Sequence, residues 1–122
     1  MPLLEYSYCL FILGTIGFQI ALIFGAPLGR LTQGGKHEGP LPIPGRVAAG
    51  ASMIVLASMA LAILSGGGGW PTWPSWTGWA AVSLQGVVMG LNWATPSAAE
   101  RRLWGPITSV MFGLALAVML LR

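Results

Sequence analysis

Groups able to do chemistry are scarce in this sequence, and those in its apolar stretches are neutral. Three amides, Gln19, Gln85 and Asn92, fall within long runs that carry no charge. An unsatisfied polar group in hydrocarbon costs several kcal/mol, whereas an interhelical amide bond returns only about 0.6–2 kcal/mol. Each amide is therefore expected to pair with a neighbouring helix or to clamp a small ligand. Amides exchange no protons in the physiological range, and no carboxylate or histidine lies in the expected spans. This argues against a proton-coupled transporter, which relies on intramembrane acids or histidines.

His37, the only histidine, sits in Gly34-Gly35-Lys36-His37-Glu38-Gly39. A metal site gathers three or four ligands. Here the nearest acid is Glu38, and the only thiol, Cys9, lies within the first apolar run. No metal site is expected, and Cys9 reads as a small apolar packing residue. The glycine-rich run also lacks the Gly-Lys-Ser/Thr ending of a phosphate-binding loop. No catalytic residue is assigned. An enzyme would need His37, Glu38 and Glu100 to converge at one membrane interface.

The tryptophans are the most distinctive feature. Trp70, Trp73, Trp76 and Trp79 recur every third residue, and Trp93 and Trp104 lie farther along the chain. In a polyproline-like segment a period of three lines one edge. Indoles prefer the headgroup region, so the six are expected to anchor the protein at its two interfaces. The sharper alternative is a stacking platform for a quinone, pigment or haem edge, although no axial ligand stands beside it. No cofactor is predicted, and a bound lipid, quinone or pigment is left open.

The elements that must position these groups are legible in the charge map. The chain has 122 residues, 55% hydrophobic and 7% charged, against about a quarter charged in soluble domains. No Asp, Glu, Lys or Arg occurs between Tyr6 and Gly29, Val47 and Ala99, or Leu103 and Leu121. A helix needs about 20 apolar residues to cross a bilayer. The first and third runs fit one span each. The middle run fits two, because Gly66-Gly67-Gly68-Gly69-Trp70-Pro71-Thr72-Trp73-Pro74 cannot continue a helix. The expected fold is an all-α membrane protein, a single four-helix domain with spans near 8–27, 47–65, 77–95 and 103–121, joined by loops 28–46, 66–76 and 96–102. The first span lacks a basic preceding region and is read as retained rather than as a signal peptide.

Basic residues set the orientation. Arg30, Lys36 and Arg46 follow span one and Arg101 and Arg102 follow span three, against Arg122 alone on the other side. Both basic loops are therefore expected in the cytoplasm of a bacterial inner membrane, with both termini and the Gly/Trp loop outside. The five cations would meet lipid headgroups and fix topology. They form no stripe suited to nucleic acid.

Local signals refine the ends. Thr95-Pro96 closes the third helix, and Ser97-Ala98-Ala99-Glu100 has capping-box spacing, with Glu100 reaching back to the Ser97 amide. Pro106 predicts a kink. Leu41-Pro42-Ile43-Pro44 predicts extended chain. Small residues recur at four-residue spacing, as Gly17, Ala21 and Gly25, as Gly86 and Gly90, and as Ser109, Gly113 and Ala117. Such stripes let helices approach within the bundle or against a partner.

The pattern Gly25-Ala26-Pro27-x-Gly29, Gly34-Gly35-x-His37, Leu41-Pro42, Arg46, Asn92, Ser97, Glu100-Arg101 and Trp104-x-Pro106 resembles an uncharacterised family of small four-span bacterial integral membrane proteins. The resemblance covers most of the chain except the Gly/Trp loop. It implies the same four-span topology and no reaction, and it points to Arg30–Arg46 and Ser97–Pro106 as the segments of any family role. The leading expectation is a non-enzymatic accessory or scaffold subunit, packed against other membrane proteins or copies of itself. The alternative is a small permease or a lipid- or cofactor-binding protein that uses the intramembrane amides.

Overall fold

The computed structural model describes residues 2–122, and it is all helical. Four long helices make up most of it: α1 (Leu3–Ile23), α2 (Ile43–Gly66), α3 (Ser75–Ala94) and α4 (Ala98–Leu121). Consecutive helices pack side by side and α4 returns to α1, so the bundle closes in the order α1, α2, α3, α4. Three of the four, α1, α2 and α4, are long and apolar enough to cross a membrane, which marks the chain as a membrane protein. The fourth, α3, carries Ser75, Thr77, Ser83, Gln85 and Asn92 within its 20 residues.

The outer surface is built for lipid. Leu10, Leu13, Ile54, Val87 and Leu91 are all more than half exposed on helix faces turned away from the bundle. Helices that are apolar all round belong in hydrocarbon. Inside, Tyr8, Ile12, Met59, Ile63, Val82, Met111, Ala115 and Met119 form the main buried cluster, drawn from all four helices. A small second cluster, Leu22, Leu41 and Ala49, lies at the end where α1 stops and α2 begins.

Helix ends follow capping chemistry, and several differ from the sequence expectation. The first helix stops at Ile23, not near 27. Gly25 turns left-handed (φ +89°), its N–H bonds Leu22 O, and the Ala26 N–H bonds Ala21 O. This is a Schellman closure, so Gly25 is a terminator and lies outside the helical Gly17–Ala21 stripe. The second helix starts at Ile43 rather than near 47. Pro42 is extended, while Ile43 and Pro44 already sit in the first turn, where a missing N–H costs nothing. In the fourth helix Pro106 leaves the helix unbroken. Neighbouring hydroxyls fold back on the backbone there, with Thr108 donating to Trp104 O at 2.6 Å and Ser109 to Gly105 O at 2.7 Å.

Five of the six basic residues gather at one end of the bundle. The Arg46 Nε donates to Leu41 O at 2.8 Å, and its guanidinium lies against Gly25 at the C-terminus of α1, where the helix dipole favours a cation. The Arg101 guanidinium donates to Thr95 O at 2.8 Å, past the last turn of α3. Arg30, Lys36 and Arg102 are exposed. The segment between α1 and α2 folds into two short 3₁₀ turns, Gly29–Leu31 and Gln33–Gly35. It docks on the start of α4 through Ser97 Oγ, which donates to Arg30 O at 2.7 Å. A side chain at Gly35 would strike Ser97, so the close approach requires glycine.

At the opposite end the α2–α3 connection runs through residues 67–74. Thr72 has φ +60° and α3 begins at Ser75, so Trp70–Trp79 forms no continuous polyproline edge. Trp70 and Trp73 stand in the turn, whereas Trp76 and Trp79 share one face of α3. Trp70 is 76% exposed and Trp76 68%.

Candidate functional site

A cavity of about 360 Å³ opens within the bundle, between the main core and the basic end, and all four helices line it. The three sequence-flagged amides meet there: Gln19 from α1, and Gln85 and Asn92 from α3. They do not pair with one another. Gln85, only 2% exposed, accepts a hydrogen bond from the Tyr8 hydroxyl at 2.9 Å. Tyr8 and Gln85 belong to diagonally opposed helices, so this bond crosses the bundle. Asn92 Nδ2 donates to Val88 O at 2.8 Å, which leaves its Oδ1 free. Gln19 makes no side-chain hydrogen bond among the described residues.

One charged group joins them. Glu100, expected to complete a capping box, completes only half of one. Ser97 Oγ accepts the Glu100 N–H at 3.1 Å, but the Ser97 N–H is taken by Thr95 Oγ1 at 3.2 Å. The carboxylate is therefore released from capping. Glu100 is 7% exposed and lines the cavity. Its carboxylate has no hydrogen-bond or ion-pair partner among the described residues, yet no side-chain oxygen is both sealed and unsatisfied. The carboxylate is thus accessible, on a residue that lines the cavity. Glu100, Trp104, Thr108 and Met111 follow at spacings of four, four and three, which sets them on one face of α4. That periodicity was present in the sequence and could have found Glu100.

Trp104 is half-buried in the cavity wall, edge-on to Phe18 with ring centroids 4.9 Å apart. Trp93 closes the α3–α4 contact. Its indole N–H donates to Ser109 Oγ at 2.8 Å, and its ring covers Gly105. Both tryptophans therefore make specific contacts inside the fold, beyond any role at an interface.

The cavity is least enclosed between α2 and α3. There its lining residues Ala51, Val55 and Leu84 are exposed. A second depression shares Val55, Met59 and Leu84 and continues along the same seam to Trp73 and Trp76. An apolar groove thus leads from the polar cavity towards the tryptophan-rich end.

The glycines divide by environment. Gly86 faces Phe112 of α4, and a methyl built there would lie 3.1 Å from the ring. Gly66 and Gly78, which lie outside the small-residue stripes, both press on Met119. Gly17, Gly90 and Gly113 have nothing within 4 Å of a built methyl and look outward, while Ala21 is half-buried. His37 and Glu38 are exposed on the connecting segment, whereas Glu100 is buried. Among the described residues no group of three or more His, Cys, Asp or Glu could hold a metal. No family model matches the chain, and neither the curated proteins nor the solved structures yield a match.

Proposed function

We propose that the chain is a small ligand-handling membrane protein, a permease or binder that takes an amphiphile from the surrounding lipid. The observation that carries this reading is the cavity where Gln19, Gln85 and Asn92 converge with spare hydrogen-bonding capacity. A predominantly apolar pocket with a few convergent polar groups is the usual form of a small-molecule site, and 360 Å³ falls within the ordinary range of about 300–1,000 Å³. The half-open α2–α3 seam offers a lateral path for an apolar tail. In this reading α3 is the fourth span. Its 20 residues reach about 30 Å, the thickness of the hydrocarbon core, and its polar face is turned into the cavity. The basic end lies in the cytoplasm of a bacterial inner membrane, with both termini outside.

The outward-facing Gly17, Gly90 and Gly113 favour a second reading, assembly with partner subunits or with further copies of the chain. Asn92→Leu separates the two. Native mass spectrometry after extraction in mild detergent should find the wild type carrying an amphiphile adduct. The variant should keep the same protein assembly and lose that adduct. Loss of assembly with no adduct in either form would favour the subunit reading instead.

A further inference from the structure

Among the described residues the cavity is lined by one carboxylate and no cation, and its remaining hydrogen-bonding capacity is biased towards acceptance. The hydroxyl hydrogens of Thr15, Ser52 and Thr108 are spent on backbone carbonyls of their own helices, which leaves oxygen lone pairs facing inward. Asn92 likewise spends a donor and keeps its Oδ1. The donors left over, which include the Gln19 and Gln85 amides, the Thr32 hydroxyl and the Trp104 indole N–H, carry no charge. The nearest cation in sequence, Arg101, is turned away onto Thr95 O. An unpaired carboxylate in a largely apolar cavity calls for a positive partner. The space is far larger than a bare metal ion needs, and hard cations require a cage of several oxygens at close range. Trp104 stands one helical turn from Glu100 on the same face, and Phe18 packs against it. A carboxylate beside an aromatic wall is the combination that holds an alkylated or arylated cation, by charge attraction together with cation–π contact.

We propose that Glu100 is the anchor of a site for a hydrophobic organic cation, so that the amphiphile handled by this protein bears a positive headgroup. The inference rests on the ligand-handling reading above and names its substrate class. The charged centre lies between Glu100 and Trp104 near the basic end, and the apolar body follows the α2–α3 seam past Val55 and Leu84.

Tetraphenylphosphonium and tetraphenylborate, matched in size and shape but opposite in charge, test this directly. The protein is placed in nanodiscs of phosphatidylcholine alone, and binding is measured by equilibrium dialysis against empty discs. The wild type should bind the phosphonium at least tenfold more tightly than the borate, after subtraction of partitioning into empty discs. Glu100→Gln should lose at least tenfold in phosphonium affinity and nothing in borate affinity, while Glu100→Asp should retain the preference. Should Glu100→Gln fail to fold, the wild-type preference and its retention in Glu100→Asp still decide. Equal wild-type affinity for the two ions, or unchanged phosphonium binding in Glu100→Gln, overturns the assignment. A native amphiphile adduct would survive that result, so failure of the cation proposal is distinguishable from failure of the ligand-handling reading. Saturable binding of sodium or potassium without phosphonium binding also overturns it.

Discussion

Removing the hydroxyl of Tyr8 isolates a hydrogen bond that crosses the bundle diagonal. Tyr8 is fully buried and donates to Gln85 Oε1 at 2.9 Å. Tyr8→Phe keeps the ring, and the abandoned Gln85 amide still borders the cavity, where water can satisfy it. The loss should match an interhelical hydrogen bond in a membrane protein, about 0.6–2 kcal/mol. Gln85→Leu is harsher, because it strands the hydroxyl of the fully buried Tyr8 within the main core. A buried donor without a partner costs about 1–3 kcal/mol. The double variant replaces both partners with apolar groups and should cost less than the sum of the singles, giving a coupling energy of about 1 kcal/mol. Equilibrium unfolding in mixed micelles titrated with sodium dodecyl sulfate, followed by tryptophan fluorescence, measures all four proteins. Single effects that add to within about 0.5 kcal/mol would refute the argument, because independent sites behave that way.

Three further outcomes follow from the packing. A methyl at Gly78 would lie 2.5 Å from Met119 Sδ, and Gly66 presses on the same sulfur. Gly66→Ala and Gly78→Ala should therefore each destabilise by about 1–3 kcal/mol, whereas Gly90→Ala and Gly113→Ala, with open space around them, should be neutral or gain up to about 1 kcal/mol of helix propensity in the same titration. Ser97→Ala removes both the α4 cap and the tie to Arg30 O. It should cost about 1–2 kcal/mol and speed amide hydrogen exchange across residues 29–42 as well as in the first turn of α4. Alkaline phosphatase fused after Arg122 should be active in a bacterial host, and a cytoplasmic reporter at the same point silent. The reverse pattern would overturn the orientation.

The long uncharged runs made the helices legible, because a stretch of that length without charge has few structures open to it other than an apolar helix. Their limits were less legible, since they turn on local competition. Pro44 reads as a breaker in isolation, yet it is harmless in the first turn of α2. Gly25 continues a four-residue stripe on paper but terminates α1 by a left-handed turn. Small-residue spacing identified helix faces without saying what each face meets. Gly86 packs inside, while Gly17, Gly90 and Gly113 look out. The amides were legible as the polar groups of the spans, and their convergence needed the topology that sets α1 diagonally across from α3. Glu100 was hidden behind the capping pattern, although its four-residue spacing to Trp104 and Thr108 was there to read. Ser97 and Glu100 satisfy the capping pattern, and only the geometry of Thr95 shows that the reciprocal bond is already taken.

The Met119 contact has a mechanical side. Its sulfur sits between Gly66 of α2 and Gly78 of α3, close to where a methyl at Gly78 would come within 3.5 Å of Ala62 O. Taken as a fulcrum, that contact makes α3 a lever whose far end borders the cavity. The arm from Gly78 to Asn92 is 14 residues, or about 21 Å at the rise of an α-helix. A tilt of only about 5° at the fulcrum would therefore carry the Asn92 end roughly 1.8 Å sideways. Such a tilt would be magnified at the polar end, so a contact at the far end of α4 would set the width of the opening beside Glu100.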